Sequence, residues 1–236
     1  MHLAIIGSSG GLGQALLAHY ADRVDRIEAV SRQPAPTQLP DNVRWHQVAG
    51  ELDDYQTLLA QWQHDGLCLQ GVISTIGWLH NDEHQPERRL ESLEAEQLQQ
   101  YFLVNATLPL MLLKWLKPLL PTQESAFVAQ LGAKVGSIGD NRLGGWYGYR
   151  GSKAALNMFY KTAAIELRRT HAQLSLAVIH PGTTDTALSA PFQKRIAAGK
   201  LYSPQQSATR IAKVIADLQP KDSGGFWFWD GTQLPY

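Results

Sequence analysis

The chain has 236 residues, 21 basic and 21 acidic side chains, a formal net charge of zero and 44% hydrophobic residues. A chain of this length can remove about 70% of its unfolded surface from water in one core, and with Cys68 as its only cysteine that core has no disulfides. The balanced charge gives no basic field for nucleic acid or an anionic membrane, so we expect neither partner. A short apolar start without a basic leader, together with the single cysteine, favours the cytoplasm.

Short apolar runs alternate with segments of helical period along the chain. The runs predict seven strands, at Leu3–Ile6, Ile27–Val30, Val43–Val48, Gly71–Ile76, Ala126–Leu131, Leu176–Ile179 and Phe226–Trp229. Helices are predicted at Gly11–Tyr20, Asp53–Trp62, Ala95–Leu119, Ser152–Arg169 and Pro204–Leu218. Right-handed crossovers then carry helices to both faces of a parallel sheet. The sequence predicts one Rossmann-like, doubly wound α/β domain over residues 1–236, with its ligand at the carboxyl ends of the strands.

The first predicted strand runs directly into the glycine-rich turn Gly7-Ser8-Ser9-Gly10-Gly11-Leu12-Gly13, which opens a helix. Glycines permit a tight turn and a close backbone approach to a pyrophosphate, and the helix N-terminus attracts its charge. The G-x-x-x-G-x-G spacing is not the usual G-x-G-x-x-G, and a glycine cluster is also typical of a flexible turn. Its place between strand and helix favours a nucleotide site. The expected contacts are Gly7, Ser9, Gly11, Leu12 and Gly13.

The end of the second predicted strand indicates which dinucleotide is bound. An acidic residue there would accept the ribose hydroxyls of NAD, whereas this chain has Ser31 and Arg32. A guanidinium group makes paired, charge-assisted hydrogen bonds to a phosphate. The sequence therefore predicts NADP(H), bound in part by Ser31 and Arg32. The alternative is that Arg32 is a solvated surface charge.

A phenol and an ammonium group, Tyr149 and Lys153, lie four residues apart at a predicted helix start and therefore share a face. A tyrosine pKa of about 10 has to fall by about 4 kcal/mol for proton transfer near pH 7. A lysine about 4.5 Å away, at an effective dielectric of about 20, supplies roughly 3.7 kcal/mol. We predict that Lys153 lowers the pKa of Tyr149. The Y-x-x-x-K pattern is weak alone and gains weight from its context.

With these residues in view, the chain resembles the short-chain dehydrogenase/reductase family over nearly its whole length. Ser74-Thr75-Ile76-Gly77 lies where the family has Asn-Asn-Ala-Gly, and Asn105 and Pro181-Gly182-Thr183-Thr184-Asp185-Thr186 match two further motifs. Other matching segments resemble the subgroup of C-signal and sniffer-type carbonyl reductases: Gly136-Ser137-Ile138, Gly144-Gly145, Tyr147-Gly148-Tyr149-Arg150, Ser152-Lys153-Ala154-Ala155-Leu156-Asn157 and Asp230-Gly231.

The resemblance implies an NADP(H)-dependent oxidoreductase that transfers a hydride between nicotinamide and a small carbonyl or alcohol substrate. Tyr149 would pass the proton, Lys153 would hold the ribose, and Asn105 would anchor a water that relays protons to the lysine. The alternative for Asn105 is a polar residue on an exposed helix face. The remaining implied cofactor contacts are Thr75, Gly77, Pro181, Thr184 and Thr186. The resemblance also implies a homodimer or homotetramer, joined through the helices beginning near Ala95 and Ser152.

Ala133 departs from the family pattern, which has a serine that hydrogen-bonds the substrate oxygen. A methyl group cannot donate, and one donor to a developing oxyanion contributes about 10²–10³ in rate. Ser137, four residues on, is one substitute in the same loop. The other possibilities are a slow enzyme, or an NADP(H)-binding signalling or regulatory protein with little or no turnover.

Two further patterns concern the substrate side. His80-Asn81-Asp82-Glu83-His84 spells a zinc-peptidase motif, but its turn residues and Pro86 predict a loop near the substrate entrance, so we expect no metal. Trp78 and Trp146 flank the inferred nicotinamide. Together with Leu188, Pro191 and Phe192, in a segment near Ala187–Leu201 that we expect to be mobile, they predict an apolar or aromatic pocket; scattered packing is the alternative.

Overall fold

A parallel sheet forms the centre of the fold. The computed structural model describes residues 1–236, except for the side chain of Arg195. Its strands are β1 (His2–Ile6), β2 (Arg26–Ser31), β3 (Val43–Gln47), β4 (Gly71–Ser74), β5 (Ala126–Leu131), β6 (Leu174–His180), β7 (Thr183–Thr184), β8 (Leu201–Tyr202) and β9 (Gly225–Phe228). Seven of them form one sheet in the order β3-β2-β1-β4-β5-β6-β9, and every pairing is parallel. This order confirms the doubly wound architecture.

The predicted strands are all present; Ala126–Leu131 has the predicted ends, and the others differ by one or two residues. The prediction Gly71–Ile76 is too long, because β4 ends at Ser74 and the next residues leave the sheet to line a cavity. The pair β7 and β8 forms a separate ribbon that was not predicted. Strands of two residues are too short to show an alternating pattern.

Six α-helices cover the sheet. They are α1 (Gly11–Tyr20), α2 (Leu52–His64), α3 (Ala95–Phe102), α4 (Leu108–Leu116), α5 (Tyr147–Leu167) and α6 (Pro204–Asp217). Within the part of the chain that the structure describes, none of them has the length and apolar content needed to cross a bilayer. The prediction of a helix start at Ser152 is wrong, because α5 begins five residues earlier and holds Tyr149 and Lys153 in its first two turns.

The predicted helix Ala95–Leu119 is divided by a π-helical turn, Leu103–Thr107. Here the amide of Leu108 bonds to the carbonyl of Leu103, five residues back. The following residue, Pro109, has no N–H to offer to the carbonyl of Asn105, four residues before it, so the regular α-helical ladder cannot continue there. The helix ends in a 3₁₀ turn, Lys117–Leu119.

Alternate strand residues pack on opposite faces of the sheet. Ala4, Ile6 and Val30 lie in one core with buried residues of α2, α4 and α5. Leu3, Ile5 and Ile27 lie in a second core with buried residues of α1 and α6. Each fully buried Val, Leu or Ile side chain among them contributes about 1.5–3 kcal/mol. The two cores hold the sheet rigid and leave the loops at its carboxyl edge to form a site.

Candidate active site

A cavity of about 1270 Å³ opens at the carboxyl edge of the sheet. Loops that follow β1, β2, β4, β5 and β6 line it, as expected where a doubly wound sheet reverses its strand order. The residues predicted to contact a cofactor all line this cavity: Gly7, Ser9, Gly11, Leu12, Gly13, Ser31, Arg32, Thr75, Gly77, Tyr149, Lys153, Pro181, Thr184 and Thr186. Their shared position agrees with the prediction, while their individual roles stay predictions.

The glycine-rich turn leaves no room for a side chain at Gly7 or Gly13, as expected of a turn whose backbone amides contact a ligand. Gly7 has φ of 93° and donates its amide to the carbonyl of Val30 at 2.8 Å. A Cβ on Gly13 would lie 2.2 Å from the Gly7 carbonyl oxygen, so no side chain fits there without moving the turn. Gly10, at the N-cap of α1, supplies no side-chain cap. The first amides of α1 therefore remain available for an anion.

At the end of β2, Ser31 donates its hydroxyl to Ser9 at 2.7 Å and joins this strand end to the glycine-rich turn. Arg32 is exposed, and its stem packs on Gly50, where a Cβ would lie 2.7 Å from the arginine Cδ. Among the described side chains, Arg32 has no acidic partner within salt-bridge distance. The acid of this strand, Glu28, is buried instead and pairs with His2, Arg26 and His46.

Tyr149 and Lys153 lie side by side on α5, with 7% and 3% of their surface exposed. The Lys153 Nζ donates to the carbonyl of Leu131 at 3.2 Å and lies 5.9 Å from the centre of the Tyr149 ring. Burial raises the pKa of Tyr149 well above its usual value, with Tyr101 adding to that effect. Burial also lowers the pKa of Lys153 to about 8.

These pKa directions differ from the prediction that Lys153 lowers the pKa of Tyr149. The sequence argument set the attraction between the two groups against the reference pKa of a phenol in water. In the folded chain the loss of water around the phenol is the larger effect, and the same loss disfavours the charged form of the lysine. Tyr149 is thus a protonated phenol near neutral pH.

Asn105 is fully buried in the π-helical turn, so the alternative of an exposed helix face is wrong. Its Oδ1 accepts from the Trp78 amide at 2.8 Å, and its Nδ2 donates to the Trp78 carbonyl at 2.9 Å and the Ser152 hydroxyl at 3.2 Å. It is not among the cavity-lining residues. The side chain fixes the loop after β4. Because both hydrogens of the Asn105 side-chain amide are already donated, a water here could only donate a hydrogen bond to an oxygen atom of Asn105.

Ala133 lines the cavity and packs in an apolar cluster with Leu79, Tyr101 and Tyr149. Ser137 is also buried, but its hydroxyl accepts from the Asp140 amide at 3.1 Å, and the residue does not line the cavity. The possibility that Ser137 replaces the missing serine is therefore wrong. Its hydroxyl is used to close a turn away from the site.

Aromatic rings form one wall of the cavity. Trp146 packs against Phe192 at 5.0 Å and against Tyr149 at 6.2 Å between ring centres, and Trp78 packs against Tyr101 at 4.5 Å. Leu188 lines the cavity as predicted, whereas Pro191 does not. Trp78 and Trp146 both line the cavity, which supports the predicted pocket over scattered packing.

The segment from His80 to His84 is a loop, as its turn residues predict. His80 bonds to the carbonyl of Leu188 at 3.1 Å, and the His84 ring packs edge-on against Trp78. Over the described residues no three His, Cys, Asp or Glu side chains are grouped so that they could hold a metal.

Sequence reasoning missed Leu79, Val135 and His180 as lining residues. The first two are ordinary apolar residues that carry no local signal. His180 ends β6, and burial, helped by the charges of Lys134 and Lys153, lowers its pKa to about 4. Its position before Pro181, at the carboxyl end of a predicted strand, was a signal that could have been used.

A family model described as short chain dehydrogenase matches residues 1–197. The chain belongs to the short-chain dehydrogenase family. Among its relatives, 1-hydroxy-2-glutathionyl-2-methyl-3-butene dehydrogenase of Rhodococcus sp. (strain AD45) is 32% identical over 184 residues, which are 78% of this chain and 76% of that one. The C-signal of Myxococcus xanthus is 33% identical over 135 residues, covering 57% of this chain and 76% of its own.

Solved structures of the short-chain dehydrogenase fold superpose on the whole chain. The carbonyl reductase Sniffer of D. melanogaster has a TM-score of 0.84 at 22% identity, covering 100% of this chain and 99% of that one. An NADPH-bound carbonyl reductase from chicken fatty liver has a TM-score of 0.85 at 20% identity, covering 100% and 98%. These likenesses confirm the predicted fold, and the family model confirms the predicted family resemblance.

Proposed function

We propose that this short-chain dehydrogenase is an NADP(H)-dependent oxidoreductase acting on a small carbonyl or alcohol substrate, with residues 1–236 forming one cofactor-binding domain. The observation that carries the proposal is the meeting of Tyr149 and Lys153 with the glycine-rich turn at one cavity. The carbonyl reductases among the structural neighbours support a carbonyl substrate.

The cavity suits a dinucleotide together with a small substrate. Its volume, about 1270 Å³, exceeds the roughly 300–1,000 Å³ of a site for one drug-sized ligand. The amides of Gly11 to Gly13 would hold the pyrophosphate, and Ser31 and Arg32 the 2′-phosphate. Thr75 and Gly77 would border the middle of the cofactor, and Pro181, Thr184 and Thr186 its nicotinamide end. When bound, the reduced nicotinamide supplies a hydride to the substrate carbon.

Tyr149 would donate the proton to the substrate oxygen. Its raised pKa keeps the phenol protonated near pH 7, which is the form that carbonyl reduction consumes. Lys153, protonated below about pH 8, would hold ribose hydroxyls and offset the charge that develops on the phenol as it loses its proton. Ala133 offers no second donor, so Tyr149 alone of these positions would stabilise the substrate oxygen.

The substrate we propose is an apolar or aromatic aldehyde or ketone. Trp146 and Phe192 present rings beside Tyr149, and Ala133 adds a methyl group rather than a hydroxyl to the same wall. Aromatic surfaces of this kind stabilise aromatic ligands by about 0.5–1.5 kcal/mol per ring pair beyond their buried area.

The proposal is tested by turnover. Purified protein with saturating NADPH should oxidise it in the presence of members of a panel of aldehydes, ketones and quinones, with aromatic members used best. No oxidation above background across the panel, with NADPH binding retained, would instead support the NADP(H)-binding signalling or regulatory protein.

Arg32→Ala should lower kcat/KM for NADPH by about 10–100-fold, because it removes a charge-assisted contact of about 1.5–3 kcal/mol to the 2′-phosphate. The value for NADH should stay within about twofold, since NADH lacks that phosphate. Arg44→Ala, at an exposed arginine outside the cavity, is the matched control and should change neither value. Steady-state kinetics with both cofactors measures this. Equal use of NADPH and NADH by the unaltered protein would contradict the assignment.

The affinity for NADPH should fall as the pH rises through about 8. Burial lowers the pKa of Lys153 to about 8, so the ammonium group is present below that pH and is lost above it, about tenfold per pH unit. Fluorescence titration of NADPH between pH 6.5 and 9.5 measures the change. Lys153→Met should bind weakly at all these pH values, and the same pH dependence in that variant would assign it to another group.

We also infer a homodimer or homotetramer. Support comes from large apolar side chains that are exposed on α3 and α5, among them Phe102 at 41%, Met158 at 64% and Ile165 at 55%. Such side chains concentrated on two neighbouring helices are typical of a subunit contact. Sedimentation velocity of the purified protein measures its oligomeric state.

A further inference from the structure

Glu87 is a buried carboxylate that the proposed reaction does not use. It lies in the loop between β4 and α3, with only 3% of its surface exposed. Its Oε2 accepts from the Gly148 amide at 3.4 Å, and its Oε1 has no hydrogen-bond partner among the described groups. Its own backbone carbonyl accepts from the Trp146 amide. A carboxylate this deeply buried needs compensation from its surroundings.

The partner of Glu87 is the first turn of α5. This helix has no side-chain cap at Trp146 and no acidic residue in its own first turn. The first amides of a helix have no partner inside the helix, and its N-terminus carries partial positive charge. Glu87 therefore supplies, from a distant segment, a side-chain acceptor for the Gly148 amide that the sequence of α5 itself lacks.

The backbone at this point is held in an unfavourable conformation. Trp146 has φ of 55° and ψ of 44°, and among the described residues it is the only one other than glycine with a positive φ. Gly144 and Gly145 before it are also left-handed, with φ of 64° and 65°. Such conformations persist only where surrounding contacts fix them. The bond from the Trp146 amide to the backbone carbonyl of Glu87 is one such contact, and the bond from Arg150 Nε to the Gly145 carbonyl at 2.9 Å is another.

The fit at Gly148 is tight enough to transmit the position of Glu87 to its neighbours. A Cβ on Gly148 would lie 2.9 Å from the Glu87 Oε1 and 2.3 Å from the Tyr101 ring. Tyr149 follows directly, and Trp146, whose ring packs on Tyr149, precedes it by three residues. The carboxylate thus adjoins the backbone on which both rings depend.

We propose that Glu87 is a positioning residue for the reaction: its carboxylate caps α5 at Gly148 from outside the helix and, with its backbone carbonyl on the Trp146 amide, holds Tyr149 and Trp146 in their working orientation. This inference rests on the proposed function, since it assigns Tyr149 to proton transfer. The loop between β4 and α3 would then affect the reaction through Glu87. Glu87 acts by its contact with α5 and does not touch the substrate.

The test compares Glu87→Ala and Glu87→Gln with Glu91→Ala and Glu91→Gln, because Glu91 is an exposed acid four residues away. Loss of a buried acceptor should lower kcat of Glu87→Ala by about tenfold or more and speed exchange of the Gly148 amide by a similar factor. KM for NADPH should change less than about twofold. Glu87→Gln keeps an oxygen that accepts from Gly148, so it should recover most of kcat. The Glu91 variants should match the unaltered protein.

Unchanged kcat or unchanged Gly148 exchange in Glu87→Ala would overturn the inference. A rise in KM for NADPH as large as the fall in kcat would also overturn it, because it would indicate a general loosening of the cavity. If Glu87→Ala does not fold, Glu87→Asp decides, because its shorter side chain withdraws the carboxylate from the Gly148 amide. Faster Gly148 exchange with reduced kcat in Glu87→Asp is the supporting result, and no change in either overturns the inference. Amide exchange is measured without turnover. If the unaltered protein reduces no carbonyl, the proposed function is wrong, but the exchange rate of the Gly148 amide still shows whether Glu87 caps α5.

Discussion

Replacing Tyr149 with phenylalanine should lower the rate of NADPH-dependent carbonyl reduction by about 10²–10⁴-fold, the contribution of a positioned general acid. The substitution removes the phenolic proton and leaves the ring. Its apolar neighbours Leu79, Tyr101 and Ala133 keep their contacts, and no hydrogen bond from the phenol to another described group is lost. Stability and NADPH affinity should therefore stay close to those of the unaltered protein. Single-turnover kinetics, thermal unfolding and cofactor titration measure the three quantities.

Tyr147→Phe is the matched control for this substitution. It removes a phenol two residues away on the same helix, but Tyr147 is 39% exposed and does not line the cavity. Its activity should be unchanged. If Tyr149→Phe reduces carbonyls as fast as the unaltered protein, Tyr149 is not the proton donor and the proposed reaction loses its central residue.

Restoring a hydroxyl at position 133 should raise carbonyl reduction by about 10²-fold, because one donor to a developing oxyanion contributes about 10²–10³ in rate. Ala133 already lines the cavity beside Tyr149, and a serine adds a single oxygen to that wall. The gain should appear in kcat/KM for the carbonyl substrate and leave KM for NADPH unchanged. Steady-state kinetics of Ala133→Ser with the best substrate of the panel measures it.

Ala133→Val separates the donor from the added bulk. Valine enlarges the side chain without a hydroxyl, so it should lower activity where serine raises it. The combined variant Ala133→Ser with Tyr149→Phe should stay inactive, since the second donor cannot supply the transferred proton. Equal rates for alanine and serine at this position would mean that the substrate oxygen does not lie near residue 133.

Much of the fold could be predicted because its signals are local. Parallel strands buried on both sides appear as short apolar runs, and α1 was predicted with both its ends because a glycine-rich turn marks its start. The start of α5 was missed because its N-terminal acceptors come from Glu87, about 60 residues earlier in the chain. The π-helical turn was missed because Pro109 lies inside a segment whose apolar period continues across it.

The site was predicted in its composition but not in its electrostatics. All the residues predicted to contact the cofactor meet at one cavity because motif positions follow strand ends, which topology brings together. The pKa of Tyr149 depends on how much water its ring loses, a property of packing that no motif contains. The hydrogen bonds of Ser137 and Asn105 also depend on packing rather than on a motif. The Ser137 hydroxyl oxygen accepts from the Asp140 amide, and the Asn105 side chain bonds to Trp78 and Ser152.

The buried position of Glu28 limits how this chain could be adapted to NADH. Burial by itself would raise the pKa of this carboxyl, but hydrogen bonds from His2 and His46 and the charge of Arg26 bring the pKa down to about 2. Both carboxylate oxygens of Glu28 already bond to those three partners, and turning the carboxylate toward a cofactor would break these ion pairs. Coenzyme redesign therefore has to introduce a new acid at position 31 or 32 rather than recruit the acid already present three residues upstream.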